Sequence, residues 1–144
     1  MAGSFFSEEE ELDMPLLKKM LDAMFCCEIT EHRELRISDN RGETVAFIEL
    51  NRLHRFLRFK MHFRIKPEAS RQQCLDFVDR WNAGRILLKA AGVDHEDGPC
   101  GILVRHDMFY RQGAIPFNLL ETTRWCCRSF KDCRDLARRE KLTD

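Results

Sequence analysis

The sequence predicts an α+β domain: an antiparallel sheet with helices packed mainly on one face, in the element order α-β-β-β-α-β-β-α. Three observations predict it. Phe56 to Ile65 alternates strictly, with Phe59, Met61, Phe63 and Ile65 on one face and Arg58, Lys60, His62 and Arg64 on the other. Such a strand has one face on a core and one in water, as antiparallel sheets commonly do. Apolar residues recur at helical spacing in three separate stretches, with strand-like runs grouped between them. The chain has 144 residues, 44% of them hydrophobic, which suits one domain with a real core.

The elements follow in order. Residues 1–12 carry Glu8 to Glu11 and read as an acidic, solvated tail ahead of a single domain over 13–140. Asp13 is a good N-cap and Pro15 is tolerated in a first turn, so Leu16, Met20 and Ala23/Met24 predict an amphipathic helix over 14–25. Glu34 to Ile37 and Thr44 to Leu50 read as strands, and Asp39-Asn40-Arg41-Gly42 supplies the turn of a hairpin. After the alternating strand, Ser70 and Gln73 form a capping-box pattern. Cys74, Phe77, Val78 and Trp81 then fall at i, i+3, i+4 and i+7, which predicts a second helix ending near Gly84. Ile86, Leu88 and Ala90 alternate, as do Ile102, Val104, His106 and Met108, so 85–93 and 100–109 read as a second hairpin turning at Asp94 to Pro99. Gly113 punctuates. Pro116 opens a final helix reaching Arg138, with Leu120, Thr123, Cys127 and Phe130 as its apolar stripe.

Composition narrows the function classes. Lys plus Arg number 24 and Asp plus Glu number 24, so no overall charge draws the chain to nucleic acid or anionic lipid. No apolar run approaches the ~18 residues a bilayer span needs. Met1 to Asp13 is acidic and lacks the apolar stretch of a secretory signal, so a soluble cytoplasmic protein is expected. The seven cysteines (Cys26, Cys27, Cys74, Cys100, Cys126, Cys127 and Cys133) are an odd number and lack the Cys-x-x-Cys spacing of a zinc site. Reduced, mostly buried thiols behaving as small hydrophobes are expected, with no metal and no cofactor.

Catalytic patterns are missing from the sequence. It has no Gly-rich phosphate loop, no Gly-x-Ser-x-Gly and no His-Glu-x-x-His, and its histidines have no paired carboxylate at helical spacing. A non-enzymatic protein is the expectation, with a cysteine- or metal-dependent enzyme as the remote alternative. The segment Asn51 to Lys66 is different in kind: it is rich in Arg, Lys and His and has no acid. Arg58, Lys60, His62 and Arg64 make a cationic ridge that reads first as a solvated face or a charge-protected edge strand, and that also suits an acidic protein partner, the chain's own acidic tail, or phosphates. The aromatics of that strand lie on the opposite face, so a base-stacking platform is missing.

From about Phe56 to Phe130 the sequence resembles the YbjN-domain family, assigned to bacterial sensory transduction regulation. The resemblance rests on Val78-Asp79-Arg80-Trp81-Asn82 closing the middle helix, then Arg85 to Ala91, the acidic turn Asp94 to Gly98, an apolar strand, Gly113, Pro116 and a long helix. Trp81 and Asn82 match the family's Asn-x-Trp-Asn segment, and Asp79 stands where the family more often has Asn. The family is similar in fold to type III secretion chaperones, which commonly dimerise. The resemblance therefore implies a non-catalytic regulatory or chaperone-like module that binds a protein partner and forms a homodimer. A nucleic-acid-binding regulator using the basic strand 52–66 is the alternative. Only Trp81 and Asn82 carry over, as family hallmarks. Trp81 suits the core, and the Asn82 amide can tie the helix end to the next strand.

Overall fold

In the computed structural model, which describes residues 12–85, 88–95, 98–110 and 116–144, the chain forms three helices and six strands. They are α1 (Met14–Leu21), β1 (Cys26–Ile29), β2 (Leu35–Ser38), β3 (Thr44–Asn51), β4 (Phe56–Arg64), α2 (Arg71–Ala83), β5 (Lys89–His95), β6 (Gly98–Phe109) and α3 (Pro116–Arg139). The strands make one sheet in the order β1-β2-β3-β4-β6-β5. The α+β class holds, with one strand more than the sequence predicts. The missed strand, β1, is four residues long, mostly exposed and at the sheet edge, so it has no alternation to read. The acidic tail, Gly113 and the Glu96-Asp97 part of the second turn lie outside the described residues. No helix among the described residues is long and apolar enough to cross a membrane.

The chain divides into two compact units. The first comprises Met1–Phe59 and Asp107–Cys127. Its α1 starts where Asp13 Oδ1 accepts from the Leu16 N–H at 2.9 Å, and it buries Leu17 and Leu21, one turn apart. The helix stops at Leu21, shorter than predicted, because Ala23 and Met24 face water instead of extending the stripe. The predicted turn is present: Asp39 Oδ1 accepts from the N–H groups of Arg41 and Glu43, and Gly42 takes φ 77°, which glycine adopts without strain. β2 and β3 pair with Leu35 opposite Ile48 and Ile37 opposite Ala46, all buried. A register shift at Ile37/Ser38 leaves Val45 and Ala46, neighbours in sequence, both buried.

The second unit comprises Lys60–His106 and Arg128–Asp144. Here α2 begins with the predicted capping box: Ser70 Oγ accepts from the Gln73 N–H, and Gln73 Oε1 accepts from the Ser70 N–H. Its buried stripe is Cys74, Phe77, Val78 and Trp81, as the spacing requires. The helix packs on β5. Gly92 permits the close approach, since a Cβ there would stand 3.3 Å from Leu75 Cδ2 and 3.9 Å from Cys74 Sγ. The far end of α2 is fastened by Asn82. Its Nδ2 donates to the Ala90 carbonyl at 2.9 Å and its Oδ1 accepts from the Ala90 N–H at 2.8 Å. An amide side chain thus takes the place of a neighbouring strand at this point of the sheet edge.

Among the described side chains of α3 the buried positions are Leu119, Thr123, Cys126, Phe130, Cys133, Arg134 and Ala137. The predicted stripe named Leu120 and Cys127, each one residue away. Both sets repeat at three- and four-residue steps through Thr123 and Phe130, so the doublets Leu119-Leu120 and Cys126-Cys127 cannot be resolved by periodicity alone.

All seven cysteines are free thiols; Cys74, Cys126 and Cys133 are buried and Cys26 is exposed. Burial pushes the Cys133 thiol up to about 12. Burial, with a hydrogen bond to Cys100, pushes the Cys74 thiol up to about 12 as well, and burial also raises Cys126. A thiol that holds its proton more tightly when folded stabilises the fold fully below its unfolded value of about 8.5. That stabilisation is lost as pH rises toward the folded value. Between about pH 9.5 and 11, each such cysteine should lower unfolding stability by about 1.4 kcal/mol per pH unit. Urea titrations across this range should show Cys133→Val with a shallower slope by that amount, whatever its stability at neutral pH. An unchanged slope would contradict the burial of this thiol. Separately, Asn82→Ala removes both bonds to Ala90 and should cost about 2 kcal/mol in the same urea assay.

Candidate functional site

Trp81, in the second unit, is a core residue at 2% exposure. Its ring stacks on Phe77 with centroids 6.5 Å apart, and the Arg85 guanidinium lies 3.3 Å from its centroid. Arg85 Nη1 also reaches the Trp81 carbonyl at 3.5 Å. The indole Nε1–H is buried without a partner. This arrangement closes α2 instead of opening a ligand platform, because the ring faces are taken by Phe77 and Arg85. Lys89 completes the helix end by donating to the Arg85 carbonyl at 2.6 Å and the Asn82 carbonyl at 3.4 Å, a cation placed on C-terminal carbonyls.

The basic strand keeps the predicted alternation: Leu57, Phe59, Met61, Phe63 and Ile65 are buried, while Arg58, Lys60, His62 and Arg64 face the other way. The four cations do not share one environment. Arg58, in the first unit, makes a two-point ion pair with Asp107, Nε to Oδ1 at 2.9 Å and Nη2 to Oδ2 at 3.1 Å. That hydrogen bond, with the charges of Asp107 and Glu49, raises the Arg58 pKa. Its guanidinium also lies 5.2 Å from the Phe56 ring centroid. Arg58 is thereby committed to neighbours within its own unit.

Lys60, His62 and Arg64 belong to the second unit, where the Ile65 N–H donates to the Cys100 carbonyl at 3.1 Å. Counting back from that bond along two antiparallel strands brings Arg105 of β6 opposite Lys60. Arg105 in turn pairs with Lys89 of β5, whose ammonium turns to the end of α2. The outward positions of this stretch are thus Lys60, His62 and Arg64 on β4, with Gly101, Leu103 and Arg105 on β6, and they include no carboxylate. Arg105 was recognisable in the sequence as the polar member of the Val104–His106 alternation. Its pairing with β4 was not.

A second set of side chains belongs to the first unit. Every exposed large hydrophobic residue among those described falls there: Met24, Ile29, Leu53, Phe109, Phe117 and Trp125. Leu53 is 84% exposed, Phe109 60% and Phe117 65%. Phe109 packs on Phe56 with ring centroids 5.4 Å apart, so it is held in place though wet. Met24 Sδ lies 3.6 Å from Arg124 Nη2, beside Trp125 on α3. Sequence reading missed these positions; Ile29, Phe109 and Phe117 sit at strand ends and a helix start, where apolar residues look like core. Among the described residues, no three His, Cys, Asp or Glu side chains converge as a metal site.

No protein-family model matches the chain, and no curated protein matches it by sequence. Among solved structures, it is similar to YbjN from E. coli, described as a candidate transcription regulator. The match has a TM-score of 0.78 at 16% identity, over 91% of this chain and 94% of that one. At that identity the likeness concerns the fold, and the fold suggested by the Trp81-Asn82 segment is the one the chain adopts.

Proposed function

We propose that this chain is a non-catalytic regulatory protein that acts by binding another protein through the apolar side chains of its first unit. One observation carries the reading: all the exposed large hydrophobic residues described fall in that unit. Exposed aromatic and aliphatic side chains cost solvation free energy, and grouped ones mark interaction surfaces. The description of YbjN as a candidate transcription regulator agrees with a regulatory role. A homodimer through the same side chains is one form that such binding takes. The test is capture from nuclease-treated host lysate beside sedimentation of the pure protein. A stoichiometric protein partner or a dimer should be seen with the wild type and be weakened at least tenfold by Leu53→Lys with Phe109→Lys, or by Phe117→Lys with Trp125→Lys. Monomeric protein without a specific partner, or binding indifferent to both double variants, would refute it.

A second reading is binding of nucleic acid by the cationic face of the second unit, favoured by Lys60, Arg64 and Arg105 standing on two adjacent strands. Three phosphate contacts would make log K for duplex DNA fall with log salt at a slope of about −2.7. Lys60→Glu, Arg64→Glu and Arg105→Glu together should abolish that binding. Affinity unchanged by the triple variant would end this reading.

A further inference from the structure

The second unit holds a pair of thiols that neither reading uses. Cys74 is buried in the first turn of α2, with its Sγ 3.8 Å from the Gly101 carbonyl. Gly101 follows Cys100 on β6, so the Cys74 sulfur lies beside the Cys100 backbone, and the neighbouring Cys100 thiol, after burial, helps raise the Cys74 pKa. Cys100 falls in step with Ile102 and Val104, the buried side chains of β6, so it points to the face that α2 covers. Cys74 reaches this part of β6 because the bare Cα of Gly92 lets α2 settle on β5; a Cβ there would stand 3.9 Å from Cys74 Sγ. The backbone is held on both sides of the pair. Cys100 accepts from the Ile65 N–H, and the Ser70–Gln73 capping box fixes the start of α2. Unlike Cys74, Cys100 is only half-buried and can be reached from solvent. The charges around the pair are Arg71 and Asp94, which hold one another by two hydrogen bonds at 3.1 and 3.3 Å.

We propose that Cys74 and Cys100 are a redox-active dithiol that closes to an intramolecular disulfide by exchange with a small disulfide of the glutathione class. Cys100 gives its proton to water and its sulfur attacks one sulfur of the oxidant. The oxidant's S–S bond breaks, a mixed disulfide forms on Cys100, and the departing thiolate takes up a proton. Cys74 then attacks the Cys100 sulfur, its proton passing to the second small thiolate as that leaves. Two protein thiols become one disulfide while the oxidant is reduced to two thiols, so electrons and protons balance. The expected reduced state of the cysteines is thus one of two states for this pair. The new bond ties the first turn of α2 to β6, as Asn82 already ties its last turn to β5.

The test uses the full chain, reduced, freed of reductant and incubated with glutathione disulfide. The intact mass should fall by about 2 Da, the change for one disulfide formed without an adduct. Peptide mapping should give Cys74 linked to Cys100, and amide exchange in the first turns of α2 should slow. Dithiothreitol should reverse all three. In Cys74→Ser the reaction should stop at a stable glutathione adduct on Cys100. If that variant fails to fold, the wild-type peptide map decides by itself. A dominant linkage between other cysteines, such as Cys27 with Cys127, would overturn the proposal. So would a lasting adduct on Cys100 of the wild type, or seven thiols still free after treatment.

Discussion

The alternation of β4 is the constraint on which the rest of the structure depends. Leu57, Phe59, Met61, Phe63 and Ile65 are buried, and the residues between them are charged or polar. A slip of one residue would drive Arg58, Lys60, His62 and Arg64 into the core, so the register has no near-degenerate competitor. The strand supplies Leu57 and Phe59 to the first unit and Met61, Phe63 and Ile65 to the second. It also decides where the cations go. The basic face is the consequence of an apolar one.

Within the second unit, the next decision is how closely α2 can lie on β5. Two residues make it. Gly92 removes the side chain that would hold the helix off, and Asn82 replaces a missing strand by bonding both backbone groups of Ala90. Trp81 then fills the space beneath, between Phe77 and Arg85. The Trp-Asn pair is therefore a joint between a helix end and a sheet edge. The approach of the Cys74 sulfur to the Cys100–Gly101 stretch of β6 follows from the same close packing.

The surface chemistry differs between the two units. In the first, charges answer one another: Arg58 with Asp107, and Arg36 with Glu28 at 2.7 Å. What remains distinctive there is apolar, from Leu53 to Trp125. In the second, ion pairs include Arg71 with Asp94 and Arg80 with Glu140 on α2, Lys66 with Asp144, and Arg138 with Asp135. Zero net charge for the whole chain conceals this arrangement, since a sum carries no position.

The elements themselves were largely written in the sequence. Strict period two marks β4, i to i+7 spacing marks α2, and the Ser70–Gln73 and Asp39–Gly42 signals are local chemistry that acts before any tertiary contact forms. Short-range patterns failed where they were degenerate or absent: the doublets of α3, the early end of α1, and β1, which has no buried face to alternate. Tertiary structure alone decided the rest. The neutralisation of Arg58 by Asp107, the alignment of Arg105 with Lys60, and the meeting of Cys74 with Cys100 each join residues more than 25 positions apart in the chain. Local propensity holds no information about which strand lies beside which. Those pairings exist because burying the alternating face of β4 brings β6 beside it, and burying the stripe of α2 brings that helix down on β5.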